Sequence, residues 1–359
     1  MNPIRIGTRL VGPGQPPFVI AEMSGNHGHS LDKALRLVDA AADAGAHALK
    51  LQTYTADTIT LDVPDGDFYI DDPHSLWRGH TLHDLYQKAY TPWEWHAPLF
   101  ERARSRGLLA FSTPFDPTAI DFLESLGVPC HKIASFENGD LPLIRQAAAT
   151  GKPLIMSTGT ATLAELEEAV AAARSAGCRD LVLLKCTSHY PADPRDANLL
   201  TLPALAEKFH CLAGLSDHTL GTAVSVAAVA LGACVIEKHL TLSRSDGDVD
   251  AAFSLEPAEL ARLVEDTRKA WLALGQVRFD LTESEQASRK HRRSLFVTRD
   301  IPAGEPFSPL NIRSVRPATG LPPKHLDDIL GRRATRDLMK GTPLAWDMVQ
   351  PPPAGGPRP

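Results

Sequence analysis

Along the first 280 residues, short apolar runs alternate with longer segments of helical period. The runs cover 18–21, 48–52, 108–112, 130–134, 154–157, 181–186, 211–215 and 234–238. Between them the spacing of Ala, Leu and Glu predicts helices over 31–44, 93–106, 117–126, 141–150, 163–176, 199–209 and 222–231. An eighth predicted helix, 257–274, follows the last run. Ser30 and Thr162 stand where helix N-caps belong. Eight strand–helix units predict an α/β fold of the (β/α)8, or TIM-barrel, kind, with an open doubly wound sheet as the alternative.

One connection departs from this rhythm. Residues 53–91 form too long a link for a routine loop and carry Asp67, Phe68, Trp77 and Tyr86. Such segments at the C-terminal side of barrel strands often join the active site, and a decorative insertion is the other reading. Past Asp280 the pattern changes again. Residues 281–293 are charged and link to a stretch rich in Pro and Gly, with strand-like pieces at 294–298, 312–315 and 334–338. The predicted plan is a barrel over 1–280, a linker over 281–293, a small β-rich domain over 294–350 and a disordered tail over 351–359.

Composition narrows the class of partner. The chain is 43% hydrophobic and 22% charged, with 37 basic and 43 acidic residues and a net charge of −6. This mild acidity gives no reason to expect nucleic acid or an anionic membrane. The five cysteines are scattered with no CxxC pair, which argues against a disulfide framework or a zinc–thiolate site. With no signal-like N-terminus and no membrane-length apolar run, the expected location is cytoplasmic.

In such barrels the reactive rim lies at the C-terminal ends of the strands. Polar residues gather there. Glu22 ends the first run, with Asn26 and His27 beyond it; Lys50 and Gln52 are on the second; Ser112 and Thr113 end the third. Lys132 and Ser135, then Ser157 and Thr158, mark the fourth and fifth, and Thr187, Ser188 and Tyr190 follow the sixth. Ser216, Asp217 and His218 end the seventh, and Glu237, Lys238 and His239 the eighth. Alternate strand residues share a face, so Lys50 with Gln52, Ser216 with His218, and Glu237 with His239 are predicted to point inward, and Lys238 outward.

His218 and His239 are therefore candidate ligands of a divalent ion, with two structural histidines as the alternative. Lys50 and Lys132 need partners inside apolar strands: a bound phosphate or carboxylate backed by the hydroxyls of Ser157, Ser188 and Ser216, or internal salt bridges. The turn over 157–160 could offer backbone N–H groups to an anion. Glu22 and Glu237 could each act as a general base or as a counter-ion of Lys50.

These segments resemble the sialic acid synthase family. The matching pieces are FVIAE at 18–22, NH at 26–27, AHALKLQ at 46–52, STPF at 112–115, KIAS at 132–135, STG at 157–159, LKCTS at 184–188, YP at 190–191, GLSDH at 214–218 and EKH at 237–239. RRSL at 292–295, DIPAGE at 300–305 and VRPATG at 315–320 are similar to that family's antifreeze-like (SAF) domain. Within the family the chain looks most like the pseudaminic acid synthases, through His29 and the segment from Asp67 to TPWEWH at 91–96.

The resemblance implies a transferase that condenses phosphoenolpyruvate with an amino-sugar. The implied acceptor is 2,4-diacetamido-2,4,6-trideoxy-L-altrose and the product pseudaminic acid; legionaminic or N-acetylneuraminic acid synthesis, or a non-catalytic sugar-binding role, are alternatives. It implies Mn²⁺ or Mg²⁺ on His218 and His239, and Glu22 beside the reacting atoms. Lys50, Lys132, Ser135, Ser157, Ser188, Tyr190 and Ser216 would surround phosphoenolpyruvate, with Gln52, Thr113 and Glu237 in the same site. Many sialic acid synthases have Asn at the position of Ser188. Arg316 would reach the sugar in a partner subunit, because family members form domain-exchanged homodimers. Phe68, Tyr69 and Trp77 are candidates for an apolar wall beside the sugar.

Overall fold

The computed structural model describes residues 1–73 and 75–351. The predicted tail from 352 onward lies outside the described residues. The chain divides into two compact units, Met1–Gly275 and one that begins at Gln276.

The first unit opens with an antiparallel hairpin of β1 (Ile4–Ile6) and β2 (Arg9–Val11), which sequence periodicity did not signal. Eight parallel strands follow: β3 (Phe18–Glu22), β4 (Ala48–Thr53), β5 (Leu109–Pro114), β6 (His131–Ile133), β7 (Leu154–Ser157), β8 (Leu181–Cys186), β9 (Leu212–Asp217) and β10 (Val235–His239). Their hydrogen-bonded order is β5-β4-β3-β10-β9-β8-β7-β6, and β6 lies beside β5 to bring the ring round. This is the TIM barrel that the sequence pattern predicts. The strands are buried along nearly their whole length, as parallel strands covered by helices must be.

Leu31–Asp43 illustrates how the outer helices form. Ser30 Oγ accepts from Lys33 N at the N-cap, and Ala34, Leu37, Val38 and Ala41 share the face turned to the sheet. The helix stops where Gly45 takes a φ of +79°. The hairpin sits at the other rim: a Cβ on Gly7 would meet Leu109 at 2.9 Å, and one on Gly12 would meet Leu212 at 3.2 Å. Leu109 and Leu212 are the first residues of β5 and β9, so the hairpin covers the N-terminal rim and leaves the C-terminal rim for chemistry.

The 53–91 connection is not a structureless loop. Thr55 caps a short helix, Ala56–Ile59, and Thr81 caps a second, Leu82–Ala89. Between them Tyr69 bridges Thr81. Trp77 donates from Nε1 to Val249 O at 3.1 Å, tying the insertion to the segment after β10. His27 Nε2 lies 3.1 Å from Thr91 Oγ1, and Asn26 donates to Leu240 O and Ser254 Oγ. His27 and Asn26 are thus straps that hold these segments.

The second unit begins as an extended link to a capped helix, Glu283–Ser288. β11 (Ser294–Val297) and β12 (Ile312–Val315) pair antiparallel around a core that includes Leu295, Ile301, Phe307 and Ile312. The predicted strand at 334–338 is only a set of single bridges, Ala334 to Val349 and Leu338 to Ile301.

Candidate active site

Strand register sets the floor of the site. In the parallel ladders Glu22 is level with Lys50 on one side and with His239 on the other, and Glu237 is level with Ser216. Lys50, Ser216, Glu237 and His239 line a cavity of about 530 Å³ bordered by the strand ends and the 53–91 insertion, whereas Glu22, paired with Lys50, does not itself line it. The outward counterparts pair separately: Lys238 Nζ lies 2.9 Å from Asp217 Oδ2, behind the barrel wall as predicted from alternation.

Lys50 forms an ion pair with Glu22 and donates to Thr113 Oγ1 at 3.1 Å. Lys132 donates to Ser157 Oγ at 2.7 Å. Both ammonium groups flank Glu237 Oε1, Lys50 at 3.8 Å and Lys132 at 3.7 Å. Ser216 Oγ donates to the same oxygen at 3.2 Å, while Glu237 Oε2 has no hydrogen-bond partner among the described residues. The four charges are nearly fully buried, so each depends on the others. Burial pushes the Glu22 carboxyl up to about 7, against the pull of Lys50. Burial also presses on Glu237, but Lys132 and Lys50 outweigh it and hold that carboxyl below its usual value. Lys132 is lowered by burial. Lys50 is desolvated too, yet Glu22 and Glu237 raise it.

His218 and His239 face one another with ring centroids 5.3 Å apart, and Phe253 packs against both. His218 Nδ1 lies 3.0 Å from Thr187 O. A carbonyl only accepts, so Nδ1 carries a proton. Burial pulls the ring down, but Cys186 and Thr187 O outweigh it and raise His218, so Nε2 has a free lone pair only in the neutral ring. Among the described residues, His239 Nδ1 is buried without a hydrogen-bond partner, 3.9 Å from Asp250 Oδ2. Burial, then His218 and Lys50, push His239 well below the ordinary histidine range, which keeps it neutral. The donor set therefore suits a divalent ion: one imidazole is oriented by a backbone acceptor and the other is an orphan. Among the described residues, no group of three or more His, Cys, Asp or Glu side chains forms a metal-holding cluster. The protein offers two imidazoles rather than a closed cage.

Ser135, Ser157 and Tyr190 line the cavity, as does Gln52. Ser188 lies just behind, its Oγ 3.6 Å from Cys186 Sγ. Gly159 makes room for this group: a Cβ there would collide with Ser188 Oγ and stand 2.6 Å from Ser135 Oγ. The expectation that the turn 157–160 offers free N–H groups to an anion is not met. Thr158 N donates to Leu184 O and Gly159 N to Ser135 Oγ, and the helix itself starts later, at Leu163. Of the three aromatic residues expected to wall the cavity, Trp77 does so; Phe68 and Tyr69 do not line it. Arg316 belongs to the second unit, directly after β12, and is exposed.

Two carboxylates were missed from sequence. Asp250 is buried, accepts from Ser24 Oγ, and takes its place because its own N–H donates to Asn26 Oδ1 at 3.2 Å. No periodic pattern marks its loop. Glu137 lines the cavity, and its Oε2 is buried without a hydrogen-bond partner among the described residues. Burial pushes it up to about 7. Its place two residues after Ser135 was the available signal.

The model of the NeuB family matches residues 37–279, and that of the SAF domain residues 292–350. The chain belongs to the NeuB family. It is 44% identical over 337 residues to the pseudaminic acid synthase of Helicobacter pylori, covering 94% of this chain and 98% of that protein. To the N,N'-diacetyllegionaminic acid synthase of Legionella pneumophila it is 36% identical over 349 residues, covering 96% and 98%. Among solved structures, the N-acetylneuraminic acid synthetase of Leptospira borgpetersenii superposes with a TM-score of 0.70 at 34% identity, over 80% of this chain and 95% of that one. The chain is thus an enzyme similar to pseudaminic acid synthases. No described helix is long and apolar enough to cross a membrane.

Proposed function

We propose that this enzyme condenses phosphoenolpyruvate with 2,4-diacetamido-2,4,6-trideoxy-L-altrose and water to give pseudaminic acid and phosphate. The observation that carries this reading is the meeting of two lysine ammoniums and two imidazoles in one cavity. The likeness to the Helicobacter enzyme supports the choice of acceptor.

Phosphoenolpyruvate brings a carboxylate and a phosphate. Lys50 and Lys132 neutralise them, and the hydroxyls of Thr113, Ser135, Ser157, Ser188 and Ser216 supply donors in place of water. Tyr190, tilted against His218 at 4.5 Å, walls the pocket, and Gln52 reaches the sugar. His218 and His239 would hold Mn²⁺ or Mg²⁺, which when bound acts as a Lewis acid on the open-chain aldehyde oxygen. The methylene carbon of phosphoenolpyruvate forms the new C–C bond to the aldehyde carbon, the carbonyl π pair moves to the aldehyde oxygen, and that oxygen takes up a proton from solvent. Water adds to the resulting cationic carbon, and Glu22, with a carboxyl near 7, takes the proton it sheds. The adduct's C–O bond to phosphate then breaks, its hydroxyl proton leaves with the phosphate, and the carbon becomes the ketone of the 2-keto acid. Glu237 offsets the mutual repulsion of the two ammonium groups before substrate arrives.

The chain would act as a domain-exchanged homodimer, with Arg316 serving the partner's sugar site. The test of the reaction is an acceptor panel with mass detection of product. Phosphate release with the diacetamido-trideoxy sugar is expected to exceed that with N-acetylmannosamine or the legionaminic precursor. Efficient use of N-acetylmannosamine instead would refute the acceptor assignment.

A further inference from the structure

The ionic part of the cavity has a use in the proposed reaction. The part that the 53–91 insertion supplies is of another kind. Ile59, Ile70, Leu82 and Leu85 line it, beside Tyr54, Ser75, Trp77 and Tyr86 of the same segment. Ile59 ends the short helix Ala56–Ile59, and Leu82 and Leu85 lie one turn apart on Leu82–Ala89. Ile70 is held by its backbone: its N–H donates to His80 O at 2.9 Å and its O accepts from Gly79 N at 2.9 Å. None of the four belongs to either apolar core of the barrel. Leu85 is buried and the other three are half-buried, and all four present aliphatic side chains to a cavity whose strand-end floor is charged.

An aldehyde carbon must meet the reacting atoms at the strand ends, beside His218 and His239. The far end of an open-chain sugar then extends away from the strands, toward what the insertion provides. A 6-hydroxyl placed against Ile70 and Leu82 would give up water and find no partner from those side chains, whereas a methyl group would bury apolar surface. We infer that Ile59, Ile70, Leu82 and Leu85 form a subsite for the deoxygenated end of the acceptor, so the insertion selects 6-deoxy over 6-hydroxy sugars. The inference rests on the acceptor reading above and adds where in the chain the choice is made.

The experiment compares wild type with Ile70→Thr and Leu82→Asn, at saturating phosphoenolpyruvate and metal. The two acceptors are 2,4-diacetamido-2,4,6-trideoxy-L-altrose and its 6-hydroxy counterpart. The ratio of kcat/KM values, 6-deoxy over 6-hydroxy, is expected to fall by about tenfold or more in each variant. The KM for phosphoenolpyruvate should stay within about twofold, because the ionic floor is untouched. Ile70→Thr, close to the original in shape, carries the test if Leu82→Asn does not fold. An unmoved ratio, or equal losses for both acceptors, overturns the subsite. Wild-type preference for N-acetylmannosamine, seen before any variant is made, instead overturns the acceptor reading itself.

Discussion

Lys132 and Glu237 come from β6 and β10, which are not neighbours in the sheet, yet their charged ends lie 3.7 Å apart across the barrel floor. The same carboxylate oxygen is 3.8 Å from Lys50 on β4. Neither ammonium is at hydrogen-bond distance from it. Glu237 is bracketed by two cations without being clamped by either, so an arriving anion can share Lys132 without first breaking a tight ion pair, whereas Lys50 is already paired with Glu22.

This arrangement makes Glu237→Gln informative. The variant leaves two buried ammoniums facing only Glu22, and removing one partner of a buried charge cluster costs roughly 3 kcal/mol or more of stability. The free protein should melt at a lower temperature than wild type. Phosphoenolpyruvate should restore the missing negative charge, so it should raise the variant's Tm by more than it raises that of wild type. Thermal unfolding with and without the ligand reads this directly, and equal ligand shifts in both proteins would count against anion binding between Lys50 and Lys132.

Glu22 predicts opposite pH trends for activity and stability. Its carboxyl titrates near 7 in the folded protein, above its usual 4.5. A base must be ionised, so kcat/KM should rise with pH and level off above about 7. Stability goes the other way. The folded state holds a proton that the unfolded state has released, so this contribution is complete below 4.5 and is lost as pH rises through about 7. Denaturant melts from pH 5 to 8 should show wild type losing stability relative to Glu22→Gln, which cannot titrate there. The acid limb of the rate profile belongs to the Glu22–Lys50–Glu237 cluster as a unit. If it persists unchanged in Glu22→Asp and the relative stability stays flat, the assignment falls.

Much of this was legible from the chain because parallel barrel strands announce themselves as continuous apolar runs. Charged residues such as Lys50 and Lys132 stand out against that background. Parity along each strand then sorted Glu237 and His239 inward from Lys238, and the structure agrees. What escaped depends on contacts distant in the chain. Asp250 is placed by Asn26, more than two hundred residues away, and its own surroundings carry no pattern. The hairpin at β1 and β2 is too short for periodicity to register. Aromatic character alone points to Phe68 and Tyr69, but the insertion presents Ile70 to the cavity. The turn 157–160 reads as a candidate anion cradle, but Leu184 O and Ser135 Oγ take up the N–H groups of Thr158 and Gly159.

The histidine pair predicts dependence on a divalent ion. Exhaustive chelation should abolish turnover, and Mn²⁺ or Mg²⁺ should restore it. His218→Ala and His239→Ala should each lower kcat/KM by about a hundredfold or more, given the several kcal/mol that a Lewis acid contributes. Metal binding itself, read by calorimetry without substrate, should weaken in both variants. Full activity in the presence of chelator would leave the two imidazoles with a structural role only.

Arg316 offers a test of subunit exchange that needs no structure of the dimer. Suppose it serves the partner's sugar site. Arg316→Ala should then raise the KM for the sugar far more than that for phosphoenolpyruvate, and Lys132→Met should disable its own barrel. Neither homodimer would retain a complete site. In a heterodimer of the two, one barrel is intact and receives Arg316 from the Lys132→Met chain, while the other lacks both groups. Random reassortment after mild dissociation should return about a quarter of the wild-type sites, half of those in the mixed dimers. If the arginine acts within its own chain, no mixed dimer gains a working site. Activity that stays at background after subunit mixing, with heterodimers demonstrated by mass, would then mean that each chain supplies its own arginine.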